Sequence, residues 1–407
     1  MNYTKARRES LGASLQNGEA CILFANQAQN LRKFSQDNNF LYLTGLNIPN
    51  AILLLIKNGD IVQETLFIER GIPEREVWDG KKMTKDEAQE ISGIKGVLYL
   101  DEFDATLSMW CPMLNKVYAN IGYVVLDQPL NYALYKLEPI RSRYPQIQLV
   151  DITPLITPLR KVKNAWEIEQ LQKAIDVTGE GILDIFKQAR AQMYEYELEA
   201  MLFYRMQRSG LHHWGFAPII ASGINAATLH YGQNNCQIEQ GQIVLMDVGA
   251  ACNNYSADIT RCFPVSGRFS DRQRQIYQLV LDVQKEIIEM IKPGVTLMDL
   301  QIKTRELLAE SALAIGLIKD LDEITKYYMH GVSHFLGMDT HDVGGRNAVL
   351  EVGNVITVEP GIYIPEENLG VRIEDDVLVT EEGHCVLSAN IPKEISEIEE
   401  IRCAALK

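Results

Sequence analysis

The chain has 407 residues, of which 46% are hydrophobic and 23% charged, and carries a formal net charge of −15 at pH 7. That length fits two or three domains with ample core. The acidic balance argues against nucleic acid and anionic membranes as partners, and no Lys/Arg run is longer than Arg7-Arg8 or Lys81-Lys82. The seven cysteines are odd in number and show no Cys-x-x-Cys, which fits reduced thiols better than a disulfide framework. The polar start Asn2-Tyr3-Thr4-Lys5 and the lack of any apolar run near the roughly 18 residues of a spanning helix lead to the expectation of a cytoplasmic protein.

Taken in order, the first 150 residues read as α/β. Ala51–Lys57 and Ile61–Ile68 flank Asn58-Gly59-Asp60, a strong hairpin signal. Gly96–Leu100, Lys116–Val125 and Ile147–Val150 are further strand-like pieces. Thr153-Pro154 and Thr157-Pro158 are expected to interrupt any helix and to mark a boundary, which divides the chain into residues 1–155 and 156–407. From Ala165 the spacing of Trp166, Ile168, Leu171, Ile175, Ile182 and Ile185 predicts a helix, weakened at Gly179 and Gly181. Ile243–Met246 is an apolar run ending in Asp247. Asp258 follows in Ser256–Arg261, and Asn253-Asn254 between them signals a hairpin turn. Ser270 with Gln273 is a capping-box pattern for a helix over Ile276–Ile291, stopped by Pro293-Gly294, and Thr296 can cap a second helix running to Gly316. Val355–Val358 ends in Glu359, and Glu374 lies beyond the turn-like Pro365–Gly370. Helices set between hairpins suit a layer on one face of a curved antiparallel sheet, an α+β arrangement.

The acids are the chemical signal. Asp247 and Asp258 are expected to stand roughly opposite each other, about 5 Å apart, and Glu359 and Glu374 likewise. Paired carboxylates on a buried sheet repel and lose hydration, and bound cations turn that penalty into affinity. His334, in the string His330–Gly337, is the imidazole source between the pairs. Four carboxylates and one histidine suit two divalent ions, Mn²⁺ first, with Co²⁺ or Zn²⁺ as alternatives. Two such ions about 3.5–4 Å apart can share and activate a water. His330 and His334 do not form a zinc helix motif with an acid between them, because Gly331-Val332-Ser333 contains none.

The order Asp247, Asp258, His334, Glu359, Glu374 resembles the metal signature of the pita-bread metallopeptidases. That family includes methionine aminopeptidase, aminopeptidase P, prolidase and the metal-free creatinases. Leu229-His230-Tyr231, Met246–Gly249, Ser256–Arg261, His330–Gly345, Thr357–Tyr363 and Val371–Asp376 resemble its aminopeptidase P and prolidase branch. So do Phe40–Gly45 and Glu76–Gly80, in the part of the chain that methionine aminopeptidases generally lack. Asn39 departs from the branch, where an acid commonly precedes the Phe. The resemblance implies an N-terminal α/β creatinase-like domain that covers the site and aids oligomerisation as a homodimer or homotetramer. A pita-bread catalytic domain with ligands on the inner face of its curved sheet then follows. It further implies that His230 and His341 flank the reacting carbonyl, that His330 lines the pocket for the residue after the cut, and that Trp78 is either a rim contact or a core aromatic. Arg372 shares a face with Glu374 and is expected to hold its charge; with Tyr363, His330 and His230 it is assigned to substrate binding.

The expected activity is release of the first residue from peptides with proline second, by a metal-bridged hydroxide, with Glu359 as both ligand and base and His230 and His341 handling charge and protons. Alternatives are a prolidase confined to Xaa-Pro dipeptides, metal-free creatinase-like hydrolysis, and an inactive binding module on the same fold; the last two are opposed by the complete acid set.

Overall fold

A computed structural model describes residues 3–28, 33–122 and 131–407, which form two compact units, Met1–Leu159 and Arg160–Lys407. The first unit is built on six strands: β1 Glu19–Phe24, β2 Ile52–Asn58, β3 Ile61–Ile68, β4 Gly96–Tyr99, β5 Lys116–Ala119 and β6 Gln148–Asp151. They lie in the order β4-β3-β2-β1-β5-β6. β1, β2 and β3 are antiparallel neighbours and the outer contacts are parallel. Asn58 pairs with Ile61, so the hairpin closes over Gly59-Asp60 as its sequence requires, with Gly59 at φ 58°. Ile22, Leu54, Phe67 and Phe103 sit in one core under this sheet, with Leu137 and Ile140 of the helix Tyr132–Arg143. The strand expected over Lys116–Val125 ends at Ala119, and its residues 123–125 lie outside the described residues. Trp78 is 85% exposed on the short helix Glu76–Asp79, which removes the core reading.

The prolines near residue 155 do not break a helix. Residues Thr153–Lys161 are helical. Pro154 falls in the first turn, where a backbone N–H has no partner in any case, and Pro158 forfeits one bond while Thr157 Oγ1 donates to the Thr153 carbonyl at 2.8 Å.

The second unit opens with the helix Ala165–Gln188, capped by Asn164. Gly179 and Gly181 sit inside it for a packing reason: a Cβ on Gly181 would fall 1.9 Å from Leu202 Cδ1, so the helix Glu195–Arg208 can pack close against it. The strands that follow are β7 His213–Trp214, β8 Ile219–Ser222, β9 Ile243–Val248, β10 Ala250–Cys252, β11 Tyr255–Ser256, β12 Ile259–Pro264, β13 Val355–Val358, β14 Gly361–Ile364, β15 Leu369–Arg372, β16 Asp375–Thr380 and β17 Gly383–Val386. Among the described residues, these strands pair antiparallel throughout. Two helices, Asp271–Glu289 and Leu297–Ala314, are capped by Ser270 and Thr296 as the sequence predicts. The fold is thus a two-domain α+β architecture, with an α/β unit followed by an antiparallel unit flanked by helices.

Candidate metal centre

β9 and β12 bring the first two acids to one face. Asp247 is opposite Thr260. The register of β10 and β11, Ala251 with Ser256, continues that of β9 and β12 and sets Asp258 across from Gly249. The two aspartates are therefore diagonal neighbours, two residues along the strand from the direct opposition expected. The two-residue Asn253-Asn254 turn sets this register, with Cys252 paired to Tyr255, and Gly249 permits it: a Cβ there would lie 1.8 Å from the Ala257 carbonyl oxygen. Asn253 and Asn254 close the turn with φ of 49° and 65°, as an Asn-rich two-residue hairpin loop demands.

The glutamates do stand opposite each other. β13 and β16 pair Val358 with Asp375, and β14 and β15 pair Gly361 with Arg372. One register runs through both ladders and sets Glu359 against Glu374. The strand β13 has a second neighbour, the irregular segment around Val332–Leu336. Phe335 bridges Ile356, and the amides of Thr357 and Glu359 donate to the carbonyls of His334 and Val332 at 3.0 and 2.8 Å. His334 consequently faces the same side as Thr357 and Glu359. Its Nδ1 donates to the Phe335 carbonyl at 3.1 Å, which fixes the tautomer and leaves the Nε2 lone pair directed inward. Nε2 lies 3.3 Å from Asp258 Oδ2 and 3.6 Å from Glu359 Oε1.

Burial pushes the acids of Asp258 and Glu374 well above the usual carboxylate range, and their carboxylate neighbours push them further. Burial likewise raises Glu359 to about 7, against the opposing pull of His334 and Arg372. Ligand atoms of Asp258, His334 and Glu374 all lie within 4.8 Å of one another. Asp247 Oδ1 is buried and has no hydrogen-bond partner. Converging carboxylates, an inward lone pair and an orphaned oxygen are costly without a cation and fit a divalent metal site.

Arg372 does not neutralise Glu374 by direct contact. Its Nη2 pairs with Asp247 Oδ2 at 2.6 Å, its Nε donates to Thr260 Oγ1 at 3.1 Å, and its Nη1 donates to the Tyr363 hydroxyl at 2.9 Å. Arg372 and Glu374 do share a face, but the guanidinium reaches past its neighbour to the acid of β9. Tyr363 in turn donates to His330 Nε2 at 2.8 Å, and His330 Nδ1 donates to the Gly331 carbonyl at 2.8 Å. Both ring nitrogens of His330 are thus committed as in a neutral imidazole, and burial holds its pKa down to about 4. Its 3.7 Å approach to Glu359 is accordingly a contact and not an ion pair. Tyr363 and Arg372 are themselves buried. His341 packs edge-on against His334, with ring centroids 4.4 Å apart. Burial lowers its pKa, with smaller contributions from His334 and His230. His230 is exposed in a turn after the short helix Gly223–Ala227, near enough to His330 and His341 for its charge to disfavour theirs.

Three residues around the acids escaped the sequence reading. Thr260 Oγ1 donates to Glu374 Oε2 at 2.6 Å, which makes it the link between Arg372 and that acid. Thr357 Oγ1 accepts from the His334 amide. Asp376 Oδ2 accepts from the Asp258 amide at 3.1 Å, while its neighbour Asp375 faces the other side and binds Arg261 Nη2 and Lys393 Nζ, each at 2.6 Å. The period-2 alternation of Asp258, Thr260 and of Glu374, Asp376 was the available signal.

Residues 169–381 match metallopeptidase family M24, and residues 4–118 match the aminopeptidase P N-terminal domain. The Xaa-Pro aminopeptidase of Escherichia coli is 33% identical, over 98% of this chain and 97% of its own. A solved chain from Bacillus anthracis, assigned to aminopeptidase P, is 44% identical with a TM-score of 0.96 over 99% of this chain and 98% of that one. The zinc-substituted E. coli aminopeptidase P in complex with product is 31% identical, with a TM-score of 0.92 over 100% of this chain and 98% of that one. With its acids paired on an antiparallel sheet and both family regions in place, the chain belongs to metallopeptidase family M24.

Proposed function

We propose that this chain is a metal-dependent aminopeptidase that releases the N-terminal residue from peptides with proline in second position. The observation that carries the reading is the convergence of Asp258, His334 and Glu374, with Glu359 opposite Glu374 and Asp247 presenting a partnerless oxygen. These five residues would hold two divalent ions, Mn²⁺ ahead of Co²⁺ or Zn²⁺ because the donor set is mostly carboxylate. Bound there, such ions supply a nucleophilic water at neutral pH and polarise the scissile carbonyl.

The protein's own groups do the rest. The Xaa-Pro bond is a tertiary amide whose ring removes the N–H that peptidases ordinarily recognise, so the proline has to be held by shape, and neutral His330, fixed by Tyr363 and Arg372, offers a rigid wall. Glu359 accepts the proton of the attacking water and returns it to the proline nitrogen, without which that amine is a poor leaving group. His341 and His230 donate to the carbonyl oxygen as its charge grows. In this reading the enzyme is cytoplasmic and assembles as a homodimer or homotetramer, which light scattering tests.

A cavity of about 430 Å³ beside His330, lined also by Leu297, Gln301, Tyr328 and Ser333, gives space for chain beyond the proline. Arg305 and Arg346 line the same cavity, and a cation aimed at the proline carboxylate favours the second reading, a dipeptidase. Rates on Xaa-Pro-Yaa and Xaa-Pro at matched Xaa decide. Longer peptides are expected to be cut at least as efficiently, and cleavage confined to dipeptides makes the chain a prolidase.

A further inference from the structure

His230 stands on a long irregular connection between β8 and β9, and among the described residues its side chain makes no hydrogen bond; something else has to hold it. One residue touches that connection at its start, its middle and beyond the histidine. Glu195, the first residue of the helix Glu195–Arg208, is completely buried. Its Oε1 accepts from the Ser222 amide at 2.7 Å, from Ser222 Oγ at 2.8 Å and from Asn225 Nδ2 at 3.1 Å. Its Oε2 accepts from the Tyr231 hydroxyl at 2.7 Å and from the Cys236 amide at 2.9 Å. All five donors are neutral groups of the segment 222–236, and no cation is among them. The helix N-terminus adds a favourable field for the carboxylate. Four residues along the helix, Glu199 accepts from Asn234 Nδ2 at 2.9 Å, and Asn234 Oδ1 accepts from the Ile220 amide at 2.9 Å.

Removing a charge from water into a protein interior is costly unless every lone pair is satisfied. Here the site is satisfied only if Ser222, Asn225, Tyr231 and Cys236 converge, so a single buried carboxylate specifies the path of the connection. Tyr231 is the neighbour of His230 in sequence and is itself buried, so fixing the tyrosine hydroxyl fixes the backbone from which His230 projects. We propose that Glu195 is a positioning residue for the hydrolytic reaction, acting through Tyr231 to hold His230 at the scissile carbonyl. This rests on the assignment of His230 above.

The test is a double-mutant cycle on the metal-loaded, full-length protein with an Xaa-Pro-Yaa substrate. Glu195→Gln places an amide donor against donors that need an acceptor. It is expected to lower kcat about ten- to a hundredfold, with smaller change in KM and wild-type metal content. Tyr231→Phe removes the Oε2 link, along with the hydroxyl's longer contacts to Asn235 and Cys236, and is expected to lower kcat severalfold while leaving the other four Glu195 contacts intact. It serves alone if the Glu195 variant does not fold. In a His230→Ala background, both substitutions are expected to cost little more. Losses that multiply in full with that of His230→Ala overturn the positioning role and leave Glu195 a purely structural residue. A His230→Ala variant with undiminished kcat sinks the assignment of His230 and the proposal with it, and so separates the two failures.

Discussion

Glu359 concentrates the chemistry of the site at the scale of a single residue. It is half-buried, its acid is raised to about 7, and its amide donates to the Val332 carbonyl, which fixes the backbone from which the carboxylate projects. Glu359→Gln preserves the shape and removes both the charge and the base; activity on Xaa-Pro peptides is expected to fall by at least about 10²-fold. His341 differs in kind. It packs on His334 but is exposed, and His341→Ala is expected to lower kcat while metal content, read by elemental analysis, stays near wild type. If that variant loses its metal, the assignment of His334 as the lone imidazole ligand is wrong. The shift of Arg372 from Glu374 to Asp247 also belongs at this scale. Strand parity told which face the guanidinium occupies, but a long side chain selects its partner by reach, and reach depends on the neighbouring strand.

At the scale of the element, the hairpin of β9 and β12 shows how a backbone contact places an acid. Gly249 allows the chain to close against Ala257, and this contact is with a carbonyl, which cannot give way. Gly249→Ala is expected to destabilise the fold by about 1–3 kcal/mol and to lower metal occupancy, because the backbone shift displaces Asp258. Gly181→Ala is the useful contrast. The intruding Cβ would meet the end of the Leu202 side chain, which can rotate, so a loss of stability in a denaturant titration is expected with metal occupancy unchanged. A wild-type metal stoichiometry in Gly249→Ala would contradict the idea that this glycine sets the site.

Considered as a whole, the metal-free protein folds against its own acids. Glu359 releases its proton near 7 in the folded state, against an ordinary value of 4.5, and Asp258 and Glu374 are shifted in the same direction. Between those values the folded chain binds more protons than the unfolded chain, so its stability falls as pH rises through that window. The chelated protein is expected to melt at a lower temperature at pH 8 than at pH 5.5. Saturating divalent metal is expected to raise the melting temperature more at pH 8, since metal and protons compete for the same carboxylates. Equal stabilisation by metal at both pH values would show that these acids are not the ligands. Far below that window the sign reverses. Asp375 is held well below the usual range because Arg261 and Lys393 outweigh its burial, and protonating it removes stability.

The sequence determined the elements because their signals are local. Asn58-Gly59-Asp60 and Asn253-Asn254 demand tight turns, Ser270 and Thr296 cap helices, and the apolar strands β9 and β13 each run up to an acid. It also contained the five metal-site candidates, since strand parity and a shared hairpin register are enough to align Glu359 with Glu374. What it could not contain is anything decided between segments distant in the chain. The close approach of Gly249 to the Ala257 carbonyl, which the register of Asp258 and Asp247 requires, is one that no residue pattern announces. The link from Arg372 through Thr260 to Glu374, and the clasp of Glu195 on Tyr231, depend on side chains meeting across strands and helices whose spacing is set only when the core packs. Pro154 and Pro158 make the same point in reverse: their local cost is real, but one lost hydrogen bond is less than the packing and the remaining bonds that keep Thr153–Lys161 helical.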